Sequence, residues 1–243
     1  MTDYGEATID LLHSVYDRGV QHAVALMRHS AREFEPGRHD LENPLTAQGR
    51  ELARRLGSRL PDGLTLRGYA SPPQRCMETA ELILAGYAAK GGAVTRHRPL
   101  EALGVFYVLD QMKMWRTMDA AGGLIAFLEA WFRGEVPADA IMPPELAAKL
   151  VLRVMAEKLK APAAKHEGAQ ESKARGAASS PKCQLDVCVS HDMTLLLVRD
   201  RLLGEEVAAA DVEFLDTLVA FEEGGSLWMT SHHGEPVMVS PEL

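Results

Sequence analysis

The chain of 243 residues carries 26 Lys and Arg against 34 Asp and Glu, a formal charge of −8, and 47 % of it is hydrophobic. That is a globular composition with enough length for one large domain or two small ones, and the acidic balance without any basic run argues against nucleic acid or an anionic membrane surface as partner. Three cysteines, Cys76, Cys183 and Cys188, stand at no compact spacing, which argues against a disulfide framework and a structural zinc site.

The opening MTDYGEATIDLL has neither the basic nor the apolar region of a secretory signal. No stretch reaches the roughly 18 apolar residues of a membrane span, so a reducing cytoplasm is the expected compartment. Residues 6–18 place Ile9, Leu12, Val15 and Tyr16 at helical spacing and end near Gly19. The apolar run HAVALM at 22–27 suits a buried, parallel strand. Residues 30–43, with Pro36 and Gly37, read as loop, and 46–60 as a helix opened by Thr46 and closed by Pro61, Asp62 and Gly63. A second strand is predicted at 64–70. A helix then opens at Pro72 or Pro73, runs to about Ala89 and stops at Gly91 and Gly92; a third strand follows at 93–98. This alternation predicts an α/β fold with a mainly parallel sheet.

Residues 111–160 read as helical, with breaks at Gly122, Gly123, Pro137, Pro143 and Pro144, and are expected to form a helical insertion spanning about 105–160. Residues 161–182 (APAAKHEGAQESKARGAASSPK) hold no large apolar side chain and read as a flexible linker within a single domain of residues 1–243. Residues 185–189 return to strand, 193–203 have helical spacing, and 217–221 with 226–231 form a final hairpin around a turn at 222–225.

Three of the predicted strands end in polar, chemistry-bearing residues. Arg28, His29 and Arg32 follow the first strand, Ser71 and Arg75 the second, and His191 and Asp192 the strand at 185–189. In an open α/β sheet, ligands bind at the carboxyl ends of the strands, so these residues can converge although they are distant in sequence. The set has a coherent chemistry. A neutral imidazole attacks phosphorus in line and becomes a phosphohistidine. Arg28, Arg75 and His191 hold the phosphoryl oxygens, with Arg32 on the substrate's phosphate or an adjoining anion. Asp192 protonates the leaving oxygen and later accepts a proton from water. The arginines supply the charge stabilisation, so no metal or other cofactor is expected.

At this point the sequence resembles the histidine phosphatase superfamily, also called phosphoglycerate-mutase-like. LMRHSARE resembles its Arg-His-Gly strand-end motif, LTAQGRELARRLG its Leu-Thr-x-x-Gly helix start, and SPPQRCMETAELI its Ser-x-x-x-Arg-x-x-x-Thr-Ala motif. VSHDMTLLLV resembles the second-histidine motif of the acid-phosphatase-like branch. The resemblance implies a three-layer α/β/α sandwich with a helical cap insertion, His29 as nucleophile, and Arg28, Arg75 and His191 in the phosphate pocket. It further implies Arg32 as the extra arginine and Asp192 as the proton donor of the acid-phosphatase-like branch. Ser30 stands where the family has glycine, at some cost if the backbone needs positive φ, or as a hydrogen-bond donor to phosphate. Phe34 stands where that branch has proline. LEALG at 100–104 resembles the stretch where the mutase-like branch places its acid, which makes Glu101 a rival to Asp192.

The implied function is hydrolysis of a small-molecule phosphomonoester or a phosphoprotein. The alternatives are a phosphoglycerate-type mutase and a non-catalytic binder of phosphorylated ligands. Met112, Met114, Trp115 and Met118 form either core or an apolar pocket that prefers an apolar leaving group, and Trp131 and Phe132 read as core. Glu33, Glu35, Arg38 and His39 lie in the loop after the nucleophile, where they either meet substrate or are solvated. His232 and His233, adjacent on a strand, would point to opposite faces and so not share a metal ion.

Overall fold

The computed structural model describes residues 4–35, 42–161, 183–207 and 211–242. Pro36, Gly37, Arg38, His39 and nearly all of the expected linker lie outside them. The strands are β1 (His22–Arg28), β2 (Leu64–Ala70), β3 (Ala93–Val94), β4 (Arg98–Pro99), β5 (Cys183–Ser190), β6 (Thr217–Glu223), β7 (Ser226–Thr230) and β8 (Val237–Met238). They join one sheet in the order β3-β2-β5-β1-β6-β7-β8, with β4 also on β2. β1, β2 and β5 run parallel, and β6, β7 and β8 continue antiparallel.

The helices are α1 (Glu6–Asp17), α2 (Ala47–Arg59), α3 (Gln74–Ala89), α4 (Gln111–Ala121), α5 (Leu124–Phe132), α6 (Pro144–Lys160) and α7 (Asp192–Val198). Side chains alternate across a strand, so β1 feeds two cores at once. Ala23, Ala25 and Met27 pack with Leu12, Leu56 and Ile83 of α1, α2 and α3. Val24 and Leu26 pack on the opposite face with Phe127, Leu152 and Leu196 of α5, α6 and α7. This is the three-layer α/β/α sandwich, and its two buried faces explain why β1 reads as an unbroken apolar run.

Several expectations are refined. The third strand is two short pieces, β3 and β4, because only Ala93 and Val94, then Arg98 and Pro99, pair with β2. The helical stretch 111–160 divides: α6 belongs to the sandwich, its Val151 and Leu152 buried against the sheet, whereas α4 reaches over the strand ends. The helix expected at 193–203 is α7 followed by a π-turn, Arg199–Leu203, ended by Gly204. The hairpin is present, but β7 stops at Thr230, and His232 and His233 sit in a turn with ring centroids 3.8 Å apart rather than on opposite faces of a strand. All three cysteines are free thiols, with Cys76 and Cys188 buried. Among the described residues, no helix is long and apolar enough to cross a membrane.

The helices that hold the site approach the backbone closely. Thr46 caps α2, its hydroxyl accepting from the Gly49 N–H at 2.8 Å. A Cβ on Gly49 would stand 2.0 Å from the Ala31 carbonyl oxygen, so only glycine lets the first turn of α2 lie against the segment after β1.

Candidate active site

The register of the parallel strands builds the site. Arg28 lies beside Ser190, and Ala70 beside Val189, so β1, β5 and β2 end at one level. The residues that follow, His29, His191 and Ser71, therefore emerge together at one edge. The ladder continues one step past the strands, through the His29 N–H to the Ser190 carbonyl at 3.1 Å and the Ser71 N–H to the Val189 carbonyl at 2.9 Å. Arg75 arrives from the first turn of α3 and Asp192 from the first residue of α7.

His29 is buried, at 2 % exposure. Its Nδ1 lies 2.9 Å from the Ser30 carbonyl, and its Nε2 lies 3.0 Å from the Nε of Arg75. A carbonyl only accepts and a guanidinium only donates. Nδ1 therefore carries the hydrogen, and Nε2 presents its lone pair toward Arg75. Burial holds the imidazole well below its ordinary value, and the charge on Arg75 adds to the effect, with His191 and Arg28 contributing. His29 is a neutral ring with one defined nucleophilic nitrogen.

His191 lies edge-on to His29, with ring centroids 5.7 Å apart. Its Nδ1 is 3.5 Å from Nη2 of Arg75, and its Nε2 is 2.9 Å from the Ser71 hydroxyl. Arg75 can only donate, so the His191 hydrogen sits on Nε2 and points to Ser71. Arg28 pairs with Asp192 at 2.8 Å and donates to the Val212 carbonyl, and its guanidinium stacks 4.2 Å from the centre of the Phe214 ring. Burial lowers Arg28 from its ordinary value and Asp192 opposes that shift.

These groups open into a cavity of about 230 Å³. His29, Arg32, Arg75, His191 and Asp192 are its charged or titratable lining, and α4 contributes Gln111, Met114, Trp115 and Met118.

Comparison with known proteins follows the same residues. The family model of the histidine phosphatase superfamily (branch 1) matches residues 24–97, which contain His29, the α2 cap and Arg75. That stretch is similar to the family; the rest of the chain lies outside the match. Among solved structures, YhfR of Bacillus stearothermophilus superposes with a TM-score of 0.53 at 16 % identity, covering 86 % of this chain and 96 % of that one. A phosphoserine phosphatase mutant from Entamoeba histolytica, in complex with phosphoserine, superposes with a TM-score of 0.50 at 15 % identity, covering 90 % of this chain and 95 % of that one. No curated protein sequence matches the chain.

Most of the residues read from the sequence lie at the cavity: His29, Arg32, Arg75, His191 and Asp192 line it, and Arg28, itself outside the lining, is paired with Asp192. Two do not. Glu101 begins a 3₁₀ turn, Glu101–Leu103, with an exposed side chain that is not part of the lining. The Ser30 hydroxyl turns away from the cavity and donates to the Gly49 carbonyl at 2.7 Å. Its backbone does not need glycine: among the described residues, Leu215 is the non-glycine residue with positive φ. Ser30 is thus a strut between β1 and α2, and its N–H donates to the Thr79 hydroxyl at 3.1 Å, which in turn donates to the Arg75 carbonyl at 2.7 Å. Of the methionines on α4, Met114 and Met118 line the cavity, whereas Met112 is exposed to solvent.

Phe214 is the part of the site that sequence reasoning missed. Its ring lies 5.9 Å from the His29 ring and braces Arg28. It sits in a connection without periodicity just before β6, and a lone aromatic there carries no sequence signal. Ser71 lay within a quoted motif, but its partnership with His191 is visible only in three dimensions. Among the described residues, no group of three or more His, Cys, Asp or Glu is arranged to hold a metal ion.

Proposed function

We propose that this protein is a phosphomonoester phosphatase that works without a metal, through a phosphohistidine on His29. The observation that carries the reading is the state of His29: neutral, with Nδ1 tied to the Ser30 carbonyl and the Nε2 lone pair aimed into a cluster of cations.

A phosphoryl group seated against Nε2 takes the N–H groups of Arg75 onto its own oxygens, Arg28 and Arg32 supply further positive charge, and the neutral His191 ring lies beside it. Nε2 then forms the N–P bond as the bond to the leaving oxygen breaks. Asp192, protonated for this step, passes its proton to that oxygen and the alcohol departs. In the second half, water gives a proton to the Asp192 carboxylate as its oxygen attacks phosphorus. The N–P bond breaks, and orthophosphate and the neutral imidazole are regenerated. Asp192 lines the cavity and Glu101 does not, which favours Asp192 as the acid.

The test is phosphate release from a panel of phosphomonoesters with a chelator present, alongside His29→Ala. Chelator-resistant release, lost in the variant and accompanied by an acid-labile phosphoenzyme in the parent, is the expected result. Folded protein that binds vanadate but releases no phosphate from any ester would leave a phospho-ligand-binding role instead.

A further inference from the structure

The cavity is divided by chemistry. Its titratable lining residues are His29, Arg32, Arg75, His191 and Asp192, the groups assigned above to the phosphoryl group. Among the described residues, the rest of the lining is Val105, Val108, Met114, Trp115, Met118, Leu124 and Met193, all apolar, with Gln111. The leaving group must lie in this second part, because Nε2 attacks in line from the first. Trp115 is 45 % exposed and Met114 is buried, so a ligand that contacts Trp115 removes apolar surface from water.

An apolar wall discriminates in two ways. It rewards each buried methylene, and it penalises a leaving group whose hydroxyls or carboxylate lose water without gaining partners. The cavity is small, about 230 Å³ against the roughly 300–1,000 Å³ of sites for drug-sized ligands. Unbranched methionines adapt to the outline of a flat ring or branched chain, and an aromatic face stacks on a ring.

Building on the phosphatase reading above, we propose that the substrate is a small monoester of an apolar alcohol, one ring or a short branched chain in size, seated against the Met114, Trp115 and Met118 side chains of α4. Polyhydroxylated and carboxylate-bearing phosphates are the disfavoured class. Trp115 is a specificity-determining residue.

The experiment compares kcat/KM for benzyl phosphate, ethyl phosphate, glycerol 3-phosphate and phosphoserine. All four leave as aliphatic alcohols, so the ease of P–O cleavage does not separate them as it would for aryl esters. Benzyl phosphate is expected to exceed ethyl phosphate by about tenfold or more, since one buried methylene is worth about fourfold. Glycerol 3-phosphate and phosphoserine are expected to fall below ethyl phosphate. In Trp115→Ala the benzyl-to-ethyl ratio collapses by about tenfold, and Trp115→Phe restores most of it. Inhibition by benzylphosphonate against ethylphosphonate gives the same ranking without turnover. Equal kcat/KM across the esters, or a preference for glycerol 3-phosphate or phosphoserine, overturns the proposal while leaving the phosphatase reading intact. An unchanged ratio in Trp115→Ala overturns the role of that residue. Absence of phosphate release from every ester removes the phosphatase reading, and this proposal with it.

Discussion

The Asp192 carboxylate lies 2.8 Å from the Arg28 guanidinium, so the proposed acid and one of the proposed phosphate ligands hold each other. A phosphate dianion competes with Asp192 for the same N–H groups.

If Asp192 is that acid, Asp192→Asn lowers kcat by about 10²–10⁴-fold on alkyl phosphates, the usual span for a general acid. The loss is smaller on nitrophenyl phosphate, whose leaving group departs unprotonated. Glu101→Gln leaves kcat unchanged on both. Steady-state kinetics on the two ester types reads all three outcomes, and a loss in Glu101→Gln instead would transfer the role.

The depressed His29 sets a pH dependence. In the unfolded chain a histidine takes up its proton near pH 6.5. In the folded protein His29 stays neutral well below that. The unfolded state therefore binds more protons as pH falls through 6.5, and stability is lost on the acid side of that value while remaining whole above it. Urea unfolding at pH 7.5 and pH 5.5 is expected to show a smaller acid loss in His29→Asn than in the parent. The same neutrality predicts that kcat/KM does not decline at pH 6.5 through protonation of the nucleophile.

Gly49→Ala places a Cβ against the Ala31 carbonyl, and backbone cannot yield as a side-chain tip does. The expected cost is about 1–3 kcal/mol, as for overpacking elsewhere. Activity falls with it, because the Ser30–Gly49 bond fixes the backbone next to His29. Gly57→Ala meets the Ile83 carbonyl at the same 2.0 Å but between α2 and α3, away from the pocket. It is expected to cost stability at unchanged kcat per folded molecule, and denaturation curves paired with active-site titration separate the two cases.

Within the sheet, Arg67 of β2 reaches Asp186 of β5 through two contacts of 2.5 Å, with the Asp186 side chain at 0 % exposure. Arg67→Met leaves that carboxylate with only the longer contacts to His22 at 3.2 Å and Gln184 at 3.3 Å and is expected to cost up to about 3–5 kcal/mol, much of it recovered in Arg67→Met with Asp186→Leu. Neither variant alters kcat of the folded fraction, because the pair lies three residues below the end of β2 rather than at it. Urea titration of the single and double variants measures both terms.

The site was legible where residues adjoin a recognisable element. His29, Arg75 and His191 each follow a strand or open a helix, and parallel strands must end on one edge, so their convergence followed from order alone. Thr46 announced α2 by its capping chemistry. The sequence favoured Asp192 over Glu101, since His191 is followed by Asp, but both follow plausible motifs; the 3₁₀ turn that exposes Glu101 is a matter of packing. The short strands β3 and β4 and the division of residues 111–160 were missed for a related reason: local periodicity reports which side chains are apolar but not which neighbour covers them.

By itself the sequence determined the alternation of strands and helices, the apolar strand buried on both faces and the residues able to carry phosphoryl chemistry, because these depend on side-chain type and spacing along the chain. Only the tertiary structure decided which nitrogen of His29 is bare, that Ser30 braces α2 instead of facing the cavity, that Phe214 supports Arg28, and that α4 supplies an apolar wall. Those properties depend on distances between groups far apart in the chain, which the register of three parallel strands and the close approach of α2 determine.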